Sequence, residues 1–181
     1  MKVSNRISYE QFRSYMEAIT NPKDLALFAL IYCCYARVGE VTRNEYRYKT
    51  NPPINKDNIE FTDNHMIVTV LTEKTLKYRR VPSSRALENW LHEPIRAWRD
   101  VCGYELFPIS TRNAEYKFQK WFGTQNIHLL RHWACTHALQ GKRTKNRLKA
   151  YEVAQLGGWS DLDFFYKSYN HLLVEDFIGN I

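Results

Sequence analysis

At 181 residues the chain has the size of one ordinary domain, long enough to bury a core and too short for two well-formed ones. Hydrophobic residues make up 44% and aromatics 14% of it, which excludes the polar, charge-biased composition of a disordered chain. The formal net charge of +7 points to a polyanionic partner, nucleic acid first, because lysines and arginines that neutralise phosphates release condensed counterions.

Ser8 followed by Gln11 has the spacing of a capping box. Tyr9, Phe12, Tyr15, Met16 and Ile19 then recur at helical spacing, predicting a helix over roughly residues 9–19. Asn21 caps a second helix, with Pro22 at its first position and a buried run up to Ala36, ending near Arg37-Val38-Gly39. That run, Leu25 to Ala36, falls well short of the roughly 20 apolar residues that span a bilayer, so it reads as a core helix. NIEF, HMIVTVLT and KYRRVP alternate β-branched residues between the turn signals TDN and EKTL, predicting a three-stranded antiparallel meander between Ile59 and Val81. Helical periodicity returns in SRALENWLHEPIRAWRDV, NAEYKFQKWF, NIHLLRHWACTHALQ, RLKAYEVAQL and DLDFFYKSYNHL. The fold class is therefore α+β, mainly α-helical, with one small sheet, and residues 1–181 read as a single domain.

Cys33, Cys34, Cys102 and Cys135 form no CxxC pair and have no histidines at zinc-finger spacing, so they predict neither a metal site nor a disulfide framework but reduced thiols. The N-terminus lacks an apolar stretch followed by a small-residue cleavage site, and the expected location is intracellular, cytoplasmic or with the nucleoid.

The strongest chemical signal is His128-Leu129-Leu130-Arg131-His132, opening a helix behind the cap candidate Asn126. Residues three apart share a helix face, so His128 and Arg131 face one ligand from a first turn whose dipole favours an anion. Alone, such a pair reads as a core-edge histidine beside a surface arginine. Its company is Ala36-Arg37-Val38-Gly39-Glu40, an arginine at the end of the most hydrophobic helix, with Glu40 placed to orient it. A guanidinium fork matches two phosphate oxygens as an ammonium does not. Lys74 lies in the turn between the second and third strands, among Lys77, Arg79 and Arg80. The run GKRTKNRLK contributes Lys142, Arg143, Lys145 and Arg147, a solvated loop or one lying along a phosphate backbone. Leu156-Gly157-Gly158-Trp159 precedes the cap Ser160 and a last helix with Tyr166, Tyr169 and His171.

In this order ARVGE, the hairpin lysine, HLLRH, LGGW and YNH resemble the catalytic domain of the tyrosine recombinase (phage-type integrase) family. That family's pattern is A-R-x-G-E, a lysine in a GKGxKxRxVP-like hairpin, H-x-L-R-H, an L-G-H/W box and Y-x-H. The resemblance spans residues 36 to 171 and implies that family's catalytic-domain fold, without the N-terminal core-binding domain that full-length members add. It makes Arg37 and Arg131 the phosphate-clamping arginines, His128 the histidine of the second box and Trp159 the donor of the third. Lys74 is chosen over Lys77 by its offset from Pro82, and Tyr169 over Tyr166 as nucleophile because Tyr169-Asn170-His171 reproduces Y-x-H. Glu40, His132 and His171 are supporting residues. Lys77, Arg79, Arg80, Lys142, Arg143, Lys145 and Arg147 are expected DNA contacts.

Two departures stand out. Gly158 is inserted between Leu156-Gly157 and Trp159, and the chain has no room for the extra domain. The resemblance implies cleavage and rejoining of double-stranded DNA through a 3′-phosphotyrosyl bond, with neither metal nor other cofactor. It further implies a tetramer on DNA, with residues 172–181 as a tail able to dock on a neighbour, and a virus or plasmid as a source. A type IB topoisomerase shares such a site, but usually with lysine where His128 stands. An inactive DNA-binding module of the same fold is the alternative of a different class.

Overall fold

The computed structural model describes residues 6–43 and 52–169. His171 and the tail at 172–181 lie outside the described residues. The observed order is helices, a small sheet, then helices, as the periodicity predicts. α1 (Tyr9–Glu17) starts at the expected capping box: Ser8 Oγ accepts from the Gln11 N–H at 3.1 Å, and the Ser8 N–H donates to Gln11 Oε1 at 2.9 Å. α2 (Pro22–Cys33) is capped by Asn21, whose Oδ1 accepts from the Asp24 N–H at 3.0 Å.

Every residue of α2 from Ala26 to Cys33 is buried. A helix apolar all round can only lie at the centre, and the helices α4 (Arg85–Val101) and α6 (His128–Leu139) pack against it. The Phe12 ring stacks on Tyr32 at 4.0 Å, Phe118 stacks on Phe122 at 4.2 Å, and Phe28 meets Phe118 edge-on at 5.5 Å. The Asp24 carboxylate, buried at the start of α2, is matched by Lys117 Nζ at 2.7 Å and Trp121 Nε1 at 2.9 Å from α5 (Thr111–Phe122).

The sequence predicts that α2 continues to about Ala36; it stops three residues sooner. Tyr35 takes a left-handed conformation (φ 51), and the Ala36 N–H closes back on the Ile31 carbonyl at 3.0 Å. The reversal is thus at Tyr35 and not at Gly39, which lies inside the next element, α3 (Val38–Val41). Arg37 consequently begins a helical turn instead of ending one.

The meander is as expected: β1 (Ile59–Phe61), β2 (His65–Leu71) and β3 (Tyr78–Ser84) are antiparallel, with Val68 opposite both Ile59 and Val81. Met66, Val68 and Val70 point inward at period two. β3 runs into α4 (Arg85–Val101), and α5 (Thr111–Phe122) is stopped by left-handed Gly123. α6 (His128–Leu139) starts without a side-chain cap, so Asn126 is not its cap. Its carbonyl instead accepts from the Leu129 N–H at 3.1 Å. α7 (Ala150–Gly157) and a helical segment at 162–169 complete the described fold. No helix among the described residues is long and apolar enough to cross a membrane.

Candidate active site

Glu40 ties the site together. Its carboxylate is buried (3% exposed) and accepts from the Arg37 N–H and Nη1 at 3.0 Å each, from Arg79 Nη2 at 2.8 Å and from the Glu73 N–H at 3.2 Å. Burial alone would raise its pKa; the charge and hydrogen bond of Arg79, together with Arg131, bring it below the ordinary value, so Glu40 is ionised. This one carboxylate fixes Arg37, the first residue of the hairpin turn and Arg79 in a single frame. Arg79, an expected DNA contact, is placed inside that frame: it also donates to the Leu156 carbonyl at 2.9 Å and Thr72 Oγ1 at 3.0 Å. It joins β3 to the end of α7.

Arg131 lies on the first turn of α6, buried (6% exposed), with Nη1 donating to the Tyr35 carbonyl at 2.9 Å. The left-handed turn that ends α2 is therefore also what presents a carbonyl to this arginine. Its guanidinium carbon sits 3.5 Å from the centroid of the Trp159 ring, a cation–π platform. Its Nη2 has no hydrogen-bond partner among the described residues. Burial, then the neighbouring charge of Arg37, lowers its pKa to about 10, so at neutral pH it stays charged while a second positive charge stands beside it. An unpaired buried N–H of this kind costs about 1–3 kcal/mol, relieved by any anionic oxygen that reaches it.

The inserted Gly158 has a physical role. It adopts φ 71 at the end of α7, and the Trp159 N–H bonds back to the Ala154 carbonyl at 2.9 Å, the closure of a glycine-terminated helix. The indole then folds over Gly157, where an added Cβ would lie 1.9 Å from Trp159 Cζ3. Two glycines in succession thus let the tryptophan reach Arg131 despite the longer spacing.

His128 is exposed at the start of α6; desolvation of the ring, Arg131 and Arg37 lower its pKa and favour neutral imidazole. Tyr169 is 2% exposed and packs on Phe165 at 4.7 Å, His132 at 5.3 Å and Trp159 at 6.4 Å. Its hydroxyl is hydrogen-bonded with the Cys135 thiol; burial, then Cys135, pushes its pKa well up. Tyr166 is 39% exposed.

One cavity of about 330 Å³ is lined by Arg37, Lys74, His128, Arg131, His132, Trp159 and Tyr169, so the six expected catalytic residues meet there. Lys74 is exposed on the hairpin turn. A second cavity of about 430 Å³ shares Arg37 and His128 and adds Glu73, Arg112, Glu115 and Gln125. Sequence periodicity gave no sign of these last four, which come from the hairpin, from α5 and from the turn after it.

Of the other expected phosphate contacts, Lys77, Arg80, Lys142, Lys145 and Arg147 are exposed, Arg80 paired with Glu60 at 3.0 Å. Arg143 is not at the surface. It is 2% exposed, bidentate on Glu88, and lies over Tyr32 and Tyr35 at 4.4 and 4.2 Å. Glu88 leaves helical geometry (φ −118, ψ 16) within α4 and also accepts from Ser83. Cys33, Glu88 and His92 bring candidate ligand atoms within 4.8 Å of one another. They do not fit a metal, because both Glu88 oxygens are engaged and the Arg143 guanidinium repels a cation there.

No protein-family model matches the chain, and no curated protein matches it in sequence. Solved structures do match. A XerH site-specific recombinase bound to its difH substrate, in a pre-cleavage complex, superposes with a TM-score of 0.64 at 13% identity, over 93% of this chain and 51% of that one. A lambda integrase dimer bound to a COC′ core site gives 0.64 at 12% identity, over 90% and 58%. The Tn1549 transposon integrase in complex with transposon right-end DNA gives 0.57 at 13%, over 93% and 62%. The fold is that of the tyrosine recombinase catalytic domain, and the chain spans about half the length of the XerH recombinase it matches.

Proposed function

We propose that this protein, which has the catalytic-domain fold of the tyrosine recombinases, cleaves and rejoins double-stranded DNA with Tyr169 as nucleophile. The observation that carries the reading is Arg131: a buried guanidinium whose Nη2 has no hydrogen-bond partner among the described residues, in a cavity that also receives Arg37, His128, Lys74, Trp159 and Tyr169. Two arginines converging on one cavity neutralise the charge that builds on a pentacoordinate phosphate without a metal. In the reaction Tyr169 Oη forms a bond to phosphorus as its proton passes to His128. The bond from phosphorus to the 5′-oxygen breaks, and Lys74 protonates the leaving oxygen. The phosphotyrosyl bond keeps the energy of the phosphodiester, so attack by a 5′-hydroxyl reseals the strand without ATP. A hydroxyl from a second duplex makes the outcome recombination, which requires several protomers on DNA, as in the lambda integrase dimer on its core site. The setting is the interior of a cell, on chromosomal DNA or that of a mobile element.

Exposed Lys77, Arg80, Lys142, Lys145 and Arg147 serve as phosphate contacts in this reading. A second reading, a DNA-binding module without chemistry, draws on the burial of Tyr169 and its bond with Cys135. A suicide substrate nicked beside the scissile phosphate separates the two. Covalent protein–DNA adduct that disappears in Tyr169→Phe supports cleavage, and tight binding with no adduct supports the module. Adduct that survives Tyr169→Phe but vanishes in Tyr166→Phe moves the nucleophile to Tyr166.

A further inference from the structure

His128 stands in a difficult electrostatic position. Arg37 from the turn before α3 and Arg131 one turn along α6 both repel an imidazolium, and Lys74 and His132 line the adjoining cavity. If His128 is to accept the Tyr169 proton, as the proposed strand cleavage requires, something must stabilise the cation it becomes. Two carboxylates face it across the second cavity: Glu115 from α5 and Glu73 from the hairpin, with Arg112 beside them.

We infer that Glu115, assisted by Glu73, is a positioning residue for His128, supplying across the shared cavity the negative charge that lets this histidine take the tyrosine proton between two arginines. The placement is built into the fold. Ser110 Oγ accepts from the Asn113 N–H at 3.2 Å and fixes the start of α5, so that Thr111, Arg112, Glu115 and Tyr116 present one face to the cavity. Gly123 then turns the chain toward α6, whose first residue is His128. Glu73 is fixed independently, because its backbone N–H donates to Glu40. Both carboxylates act on His128 in the direction opposite to Arg37 and Arg131, Glu115 more than Glu73. They line the second cavity and not the one that holds Arg131, Trp159 and Tyr169.

During cleavage the proton leaves Tyr169 Oη as the bond from oxygen to phosphorus forms, and resides on His128 while Lys74 gives its own proton to the departing 5′-oxygen. Glu115 changes neither its bonds nor its protonation. It balances charge.

The inference rests on the strand-cleavage reading, and its test has two arms. In the free protein, His128 is titrated by NMR, with His128→Gln identifying its resonance. Glu115→Gln is expected to lower the His128 midpoint by about half a pH unit, the effect of one charge removed across a hydrated cavity. Glu115→Asp is expected to restore most of it. On a suicide substrate, Glu115→Gln is expected to slow adduct formation by about tenfold, with Glu115→Asp recovering the rate and DNA affinity undiminished. An unmoved His128 midpoint, or loss of rate that Glu115→Asp shares in full, overturns the inference. Absence of adduct from the unmutated protein overturns the cleavage reading itself, which the His128 titration by itself does not address.

Discussion

Arg131 concentrates the local physics of the site in one side chain. It is held from one side by a backbone carbonyl, from another by the Trp159 ring, and its Nη2 has no hydrogen-bond partner among the described residues. Replacing it with alanine removes charge and fork together, and adduct formation should fall by about 10²–10³-fold. Arg131→Lys keeps the charge but neither the planar stacking nor the paired donors, and should recover only a minor part of that loss. Single-turnover trapping rates measure both; a lysine variant as fast as the unmutated protein would mean that charge alone suffices. The part of the site readable from sequence is the part spelled locally: Arg37 with Glu40, and His128 with Arg131, sit three apart on one helical turn. The Tyr169–Cys135 bond and the Arg143–Glu88 pair join residues far apart in the chain, and no periodicity reports on such partners. Arg143 was therefore indistinguishable from Lys142 and Lys145 in a run of basic residues. Only tertiary packing turned it inward.

The end of α7 shows how an element boundary places a side chain of the candidate site. Gly157 and Gly158 look equivalent in sequence, yet they answer different requirements. Gly158 needs its left-handed conformation (φ 71), for which an alanine costs about 1 kcal/mol. Gly157 needs the absence of a Cβ, because the Trp159 ring occupies that space. Gly157→Ala must therefore eject the indole from its place under Arg131. We expect it to slow adduct formation more than Gly158→Ala does, with a stability loss of about 2 kcal/mol or more in urea denaturation. Equal effects of the two variants would show that the ring finds another route to Arg131. The early end of α2 is a boundary of the same kind. Its residues are apolar through Ala36, so hydrophobic pattern alone extends the helix, but the carbonyl that Arg131 needs is exposed only if Tyr35 leaves the helix.

Over the whole molecule, the positive charge divides into two populations with different work. Among the expected phosphate contacts, Arg143 lies in the interior on Glu88, Arg79 is bonded to Glu40 nearer the surface, and Lys77, Arg80, Lys142, Lys145 and Arg147 are exposed. Interior acid–base chemistry sets the pH range of stability. His92 and His137 are buried, and burial lowers both to about 4. An unfolded histidine titrates near 6.5, so the unfolded chain binds more protons between these values and stability must fall as pH drops from about 6.5 toward 4. The loss is on the order of 3 kcal/mol for each histidine, read as a falling urea midpoint, and a midpoint constant from pH 7 to 4.5 would contradict it. The surface population should govern DNA affinity instead. Each exposed cation that neutralises a phosphate contributes about −0.9 to the slope of log affinity against log salt. Lys145→Ala should therefore flatten that slope by about 1 while leaving the urea midpoint in place. Arg143→Ala should do the reverse, leaving the slope in place and costing about 3–5 kcal/mol of stability, because Glu88 is left buried and unpaired. Were Arg143→Ala to change the salt slope of a still-folded protein as much as Lys145→Ala, the division of charge between interior and surface would be wrong.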